Sequence, residues 1–179
     1  PLLSPEIHRP GCIRFTAEAC VRARVLDGRQ GNNQWRHKMK TQSLHAAVTR
    51  ELVRDDRRTL IAERYFGIHF PLKLEPVIYG ITERMAEDYS GGYWEFYTLS
   101  NGGFYMAPST DDTFNVCCDN QYQGPLSADA LGITACLYAY SHLSFSDGRF
   151  ARVCACHYHR LREYMFEHPE VRAILGATD

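Results

Sequence analysis

The feature that most constrains this chain is residues 90–108, SGGYWEFYTLSNGGFYMAP, in which two glycine pairs bracket a run of bulky aromatics. Strand-forming residues on either side of Ser-Asn-Gly-Gly are among the strongest short-range hairpin signals, because Asn and Gly accept the positive φ that a tight turn imposes. The pattern predicts paired strands in YWEFYTL and FYMAP, and the fold must then bury their aromatic side chains. Period-two alternation places Trp94, Phe96 and Thr98 on one face of the first strand, and Tyr93, Glu95, Tyr97 and Leu99 on the other. The first face reads as core. The second, with Glu95 and two tyrosines, reads as either solvated or covered by the preceding helices.

Three helical patterns precede the hairpin. SLHAAVTRELV spaces Leu44, Ala47, Val48 and Leu52 behind a Ser N-cap, DDRRTLIAERYFG starts at an Asp and ends at Gly67, and EPVIYGITERMAEDY opens with Pro76. After the hairpin, TFNVCC predicts a third strand completing a meander, and DNQYQG a turn. SADALGITACLYAYSHL has Ser127 as N-cap, Asp129 in the first turn, and apolar residues on nearly all sides, which predicts a core helix lying across the sheet. A long amphipathic helix follows in SDGRFARVCACHYHRLREYMFEHP, and a last short one in PEVRAILG from Pro169 to Gly176. The strands cluster instead of alternating with helices. The expected class is therefore α+β, with a small antiparallel sheet of about three strands packed with several helices in a single domain.

Residues 1–38 differ in character, with three prolines in PLLSPEIHRPGC and a polar, turn-like DGRQGNNQWRHK. They carry seven Lys and Arg against three Asp and Glu, whereas residues 39–179 carry thirteen against eighteen. Residues 1–38 read as a loosely attached extension, possible as a regulatory arm, and 39–179 as the domain, with Met39 a natural start. Phosphate neutralisation by Lys and Arg supplies most nucleic-acid affinity, so an acidic domain with two lysines argues against stable DNA binding. The charges are equally too mixed for a DNA mimic, which needs about one negative charge per 1.7 Å of duplex. No apolar stretch reaches the roughly 20 residues of a membrane span, so no membrane association is expected and the chain reads as cytoplasmic.

The seven cysteines are odd in number and mostly lie in apolar runs, as free thiols in a reducing compartment do. Cys154, Cys156, His157 and His159 in CACHYH form the obvious metal or nucleophile candidate. One-residue spacing on a helix points the two sulfurs to different faces, which favours a buried Cys with exposed histidines instead. Cys117 and Cys118 are adjacent in a strand, so one faces the core and one faces out. Nucleophile-elbow, zincin and P-loop motifs are absent, and no catalytic, metal or cofactor residue is assigned. The alternatives that the residues leave open are a Cys- or metal-dependent hydrolase built on CACHYH and a DNA-binding accessory protein using residues 1–38 as a basic arm.

DYSGGYWEFYTLSNGGFYMAP, followed some twenty residues on by LSADALGITACLYAYSHLSF and preceded by ERYFGIHF, closely resembles the antirestriction family of plasmids, phages and genomic islands, the ArdB/KlcA type. The resemblance runs from about Ser43 to Glu170. It implies a small α+β protein, without catalytic residues or cofactor, that protects unmodified DNA from type I restriction enzymes while sparing methylation. Because cleavage and methylation need the same bound duplex, sparing one suggests a protein–protein surface on the type I restriction–modification complex or an associated host protein. Turn glycines, aromatics and an acidic helix start single out Tyr97, Asn101, Phe104, Tyr105 and Asp129 as candidate partner-binding residues.

Overall fold

The structure, a computed structural model, describes residues 46–146 and 148–179. The hairpin forms where its turn chemistry predicts. Strands β2 (Trp94–Leu99) and β3 (Phe104–Pro108) pair antiparallel, with Tyr97 opposite Tyr105 and Phe96 opposite Met106. The turn closes through Gly102 N–H to Leu99 C=O at 2.8 Å, and Gly102 has a φ of 79° that a side chain would disfavour. Trp94 and Phe96 are buried, as the alternation predicts.

The third strand of this sheet is not the one expected. Residues 46–49 are irregular and β1 (Arg50–Leu52) pairs antiparallel with β2, so part of the stretch predicted as the first helix is an edge strand. The helical spacing of Ala47, Val48 and Leu52 loses to β-branched Val48, Thr49 and Val53, which suit an extended chain, and to the backbone partners that β2 supplies. TFNVCC does become a strand, β4 (Thr113–Cys117). It pairs with β5 (Gln123–Ser127) as a separate two-stranded ribbon and does not join the hairpin. The turn expected in DNQYQG therefore extends only to Tyr122, and Gln123 and Gly124 belong to β5. Pro125 is tolerated because a two-stranded ribbon consists only of edge strands. Cys117 is exposed and Cys118 buried, as adjacent residues of an extended chain should be.

A short 3-10 turn (Asp55–Arg57) leads into α1 (Arg58–Phe66), which ends at Gly67. A π-helical turn (Phe70–Leu74) then runs directly into α2 (Glu75–Met85), with Pro76 in its first turn. These elements cover the Trp94–Phe96 face. Phe70 meets Phe96 and Phe104 at ring separations of 5.3 and 5.9 Å, and Phe66 meets Phe104 at 5.5 Å, all edge to face.

The remaining helices are α3 (Ala128–Ser144), α4 (Arg149–Met165) and α5 (Val171–Thr178). Ser127 caps α3 by accepting the Ala130 N–H at 3.2 Å, as expected, while α5 starts two residues after Pro169 and runs past Gly176. Helix α3 lies along the β3 edge. A Cβ at Gly132 would sit 2.4 Å from Ala107 Cβ and 2.5 Å from its Cα, so only glycine lets the helix come this close. The strand groups that face α3 are satisfied by its side chains: Met106 N–H donates to Cys136 Sγ at 3.5 Å, and Tyr140 Oη–H donates to the Phe104 carbonyl at 2.9 Å. Buried backbone groups that lack a neighbouring strand are costly, and α3 removes that cost on this edge.

The expected α+β class with a small antiparallel sheet and several helices is what the chain forms. The boundary expected at residue 38, and the basic arm with it, lie outside the described residues.

Candidate functional site

Strands β1, β2 and β3 present Arg50, Tyr97 and Tyr105 on one sheet face, because residues opposite each other in an antiparallel ladder point the same way. The first turn of α3 brings Asp129 to this face, and the segment between α4 and α5 brings His168 and Glu170. Arg50 Nη1 donates to Tyr105 Oη at 2.6 Å and also pairs with Asp129 Oδ1. Tyr105 Oη–H donates to the same oxygen at 2.9 Å, and His168 Nε2 meets Asp129 Oδ2 at 3.0 Å. The Glu170 N–H donates to His168 Nδ1 at 3.0 Å, so Nδ1 is the unprotonated nitrogen and Nε2–H is the donor to Asp129.

Aromatic rings extend the cluster. Tyr97, Tyr105 and Tyr164 stack at 4.9 and 5.7 Å, and the Arg50 guanidinium lies 4.7 Å over Tyr97. Tyr97 Oη–H donates to Glu95 at 2.6 Å, and the Ser109 hydroxyl donates to the other Glu95 oxygen at 3.0 Å. Glu170 accepts hydrogen bonds from both the Ser127 backbone N–H and its hydroxyl, placing a second carboxylate beside Asp129 at the positive end of the α3 dipole.

Burial alone would raise the Asp129 carboxyl. The His168 hydrogen bond, the Arg50 charge and the Tyr105 hydroxyl outweigh it and hold the group below the usual carboxylate range. Burial also pushes the Tyr97 and Tyr105 phenols well above their ordinary value. Both Asp129 oxygens and both His168 ring nitrogens are engaged in these contacts. The cluster works as a clamp joining β1, β3, α3 and the approach to α5. Its accessible rim is Arg50 and Tyr97.

Of the five residues singled out in the sequence, Tyr97, Tyr105 and Asp129 therefore meet in one cluster. Tyr105 is wholly buried in it and acts through its hydroxyl, so it offers a partner no surface. Phe104 is also wholly buried, on the opposite face of β3, and is a packing residue. Asn101 ties the hairpin turn to α4, donating to Arg160 C=O at 2.9 Å and Glu163 at 3.0 Å while accepting the Gly103 N–H. Sequence reasoning missed Arg50, His168, Tyr164 and Glu170. The β-branched residues around Arg50 signalled a strand, whereas nothing local marked the other three.

The CACHYH residues do not converge on a reactive centre. Cys154 is buried and burial pushes its thiol up to about 12, while Cys156 is exposed on the other side of α4. Both histidines were expected to be exposed, yet His157 is buried against Tyr65, Phe66 and Tyr140 because α1 packs onto this face. Burial, followed by the Arg160 charge, pulls His157 down to about 4, and its Nδ1 has no hydrogen-bond partner. Among the described residues, no group of three or more His, Cys, Asp and Glu side chains is arranged to hold a metal ion, and no helix is long and apolar enough to cross a membrane.

The antirestriction protein family matches residues 87–179, which span the hairpin, the ribbon and helices α3–α5. The chain belongs to this family. It is 38% identical over 135 residues to the antirestriction protein KlcA of Escherichia coli, covering 74% of this chain and 95% of KlcA. It is 45% identical over 133 residues to the YafX protein of Escherichia coli K12, covering 71% of this chain and 85% of YafX. A solved structure from work on KlcA and ArdB superposes with a TM-score of 0.70 at 38% identity, covering 75% of this chain and 96% of that one. That work describes a novel fold and antirestriction activity against type I DNA restriction systems in vivo but not in vitro.

Proposed function

We propose that this protein relieves type I restriction of incoming unmodified DNA in the cytoplasm, largely sparing methylation, and that it does so by contacting protein instead of imitating DNA or catalysing a reaction. The observation that carries the reading is the match to KlcA and ArdB over three quarters of the chain, together with the activity described for those proteins. Activity in cells without activity in a purified reaction is what an inhibitor needing a further cellular component would give. The charge balance supports the same reading, because twelve basic side chains interrupt eighteen acidic ones across residues 46–179 and duplex mimicry needs an unbroken acidic surface. The partner is the type I complex or a host protein associated with it. Residues 39–179 are the proposed functional domain, and the Arg50–Tyr97 rim of the Asp129 clamp is a proposed contact region.

The test is plating efficiency of unmodified phage on cells with an active type I system that express the full chain or residues 39–179, beside restriction-deficient cells. Restored plating on restricting cells, with phage DNA still methylated, is the expected result. Failure of both proteins to restore plating while soluble and folded would overturn the reading.

A further inference from the structure

Five of the seven exposed large apolar side chains among the described residues, Leu52, Leu60, Ile68, Leu72 and Tyr93, fall between β1 and the start of β2. Three of them line grooves, Leu52 and Tyr93 in one and Ile68 in another. The same part of the molecule holds two adjoining grooves that share Asp55 and Arg58. The larger, about 620 Å³, has a floor of Ala62, Phe70 and Phe96, all nearly buried, with Ile68 and Pro71 on its wall. Arg58 lies 4.2 Å over the Phe96 ring and 4.5 Å over Tyr93, forming a ridge between the two grooves.

Charge selects the occupant. The carboxylates lining this larger groove are Asp55, Glu63 and Glu75, against the single cation Arg58, which is already seated on aromatic rings. Asp55 and Glu75 accept hydrogen bonds from Tyr93 and Tyr79, which fixes their positions, whereas Glu63 is exposed. The wall includes the π-helical turn, an uncommon geometry that recurs at functional sites, and it turns Leu72 outward while Phe70 and Leu74 stay buried.

We infer that this groove docks a segment of a partner protein that places one apolar side chain on the Ala62–Phe70–Phe96 floor, with a Lys or Arg beside it facing Glu63 and Glu75. The apolar floor supplies the anchor and the acidic rim the selectivity, as in interfaces where a desolvated centre is ringed by polar groups. This inference rests on the protein-contact reading above and names a surface for it.

The test compares Ile68→Asp and Glu63→Lys in the full chain, with Phe145→Asp as an exposed apolar control outside the groove. Neither Ile68 nor Glu63 makes a side-chain hydrogen bond or ion pair in the structure, so both variants should fold; circular dichroism and thermal melting verify this. With wild type restoring phage plating, each groove variant is expected to lose about tenfold or more of that restoration, and Phe145→Asp to keep it. Full restoration by folded groove variants overturns the docking site and leaves the antirestriction reading standing, whereas failure of wild type overturns that reading. A photo-crosslinking residue at position 68 adds a second measurement. Adducts at an apolar residue next to Lys or Arg in another protein support the site, and adducts confined to a second copy of this chain, or to an acidic segment, overturn it.

Discussion

The two edges of the three-stranded sheet are finished in opposite ways. On the β3 edge, a helix is drawn in until only Gly132 fits, and Cys136 and Tyr140 satisfy the strand's outward groups. On the β1 edge, three exposed residues end the sheet. Thr49 C=O accepts from Ser100 N–H just past β2 and Val53 N–H donates to Phe96 C=O, so the backbone groups of Arg50 and Leu52 between them point away from β2. Charged Arg50 and Glu51 and the short length blunt this edge, as natural proteins do. Arg50 anchors it to the closed side through Tyr105 and Asp129. The closed edge is finished by helix packing, whereas the open edge borders a groove lined by Leu52, Val53 and Tyr93.

The comparison breaks most readily at Gly132. Gly132→Val is expected to destabilise by about 3 kcal/mol or more, because the new side chain meets strand backbone that cannot move aside. Urea unfolding measures this, and a loss under about 1 kcal/mol would show that α3 is not held at this distance.

A pH effect of similar size is expected at His157, also on the closed side. Its folded value of about 4 lies below the ordinary 6.5, so between those values the unfolded chain binds a proton that the folded one refuses. Stability is full above about pH 6.5 and falls as the pH drops toward 4, by roughly 3 kcal/mol. His157→Phe should flatten that slope in urea titrations across the range. An unchanged slope would assign it elsewhere.

Asp129→Ala, which cuts the tie between the two sides, is expected to cost about 2 kcal/mol, less than a fully buried pair because the carboxylate keeps some solvent contact. Tyr140→Phe leaves the Phe104 carbonyl without its donor and should cost about 1 kcal/mol. On the open side, Leu52→Lys should change stability by less than about 0.5 kcal/mol. If it costs as much as Tyr140→Phe, the open edge is part of the core after all.

Local chemistry determined much of this protein in the sequence alone. Asn101 and Gly102 demanded the hairpin turn, Ser127 the start of α3, and the apolar surround of Leu131 through Tyr140 a buried helix, because turns, caps and periodicity depend on residues only a few positions apart. Tyr97, Tyr105 and Asp129 could likewise be picked out, though not their meeting. The tertiary structure alone decided that Thr49–Val53 would extend beside β2, that TFNVCC would pair with QGPLS, that α1 would bury His157, and that Arg50 and His168 would close on Asp129. Each depends on partners 6 to 91 positions away, and the free energy of such contacts is written in packing and hydrogen bonding between segments, not in the propensity of either one.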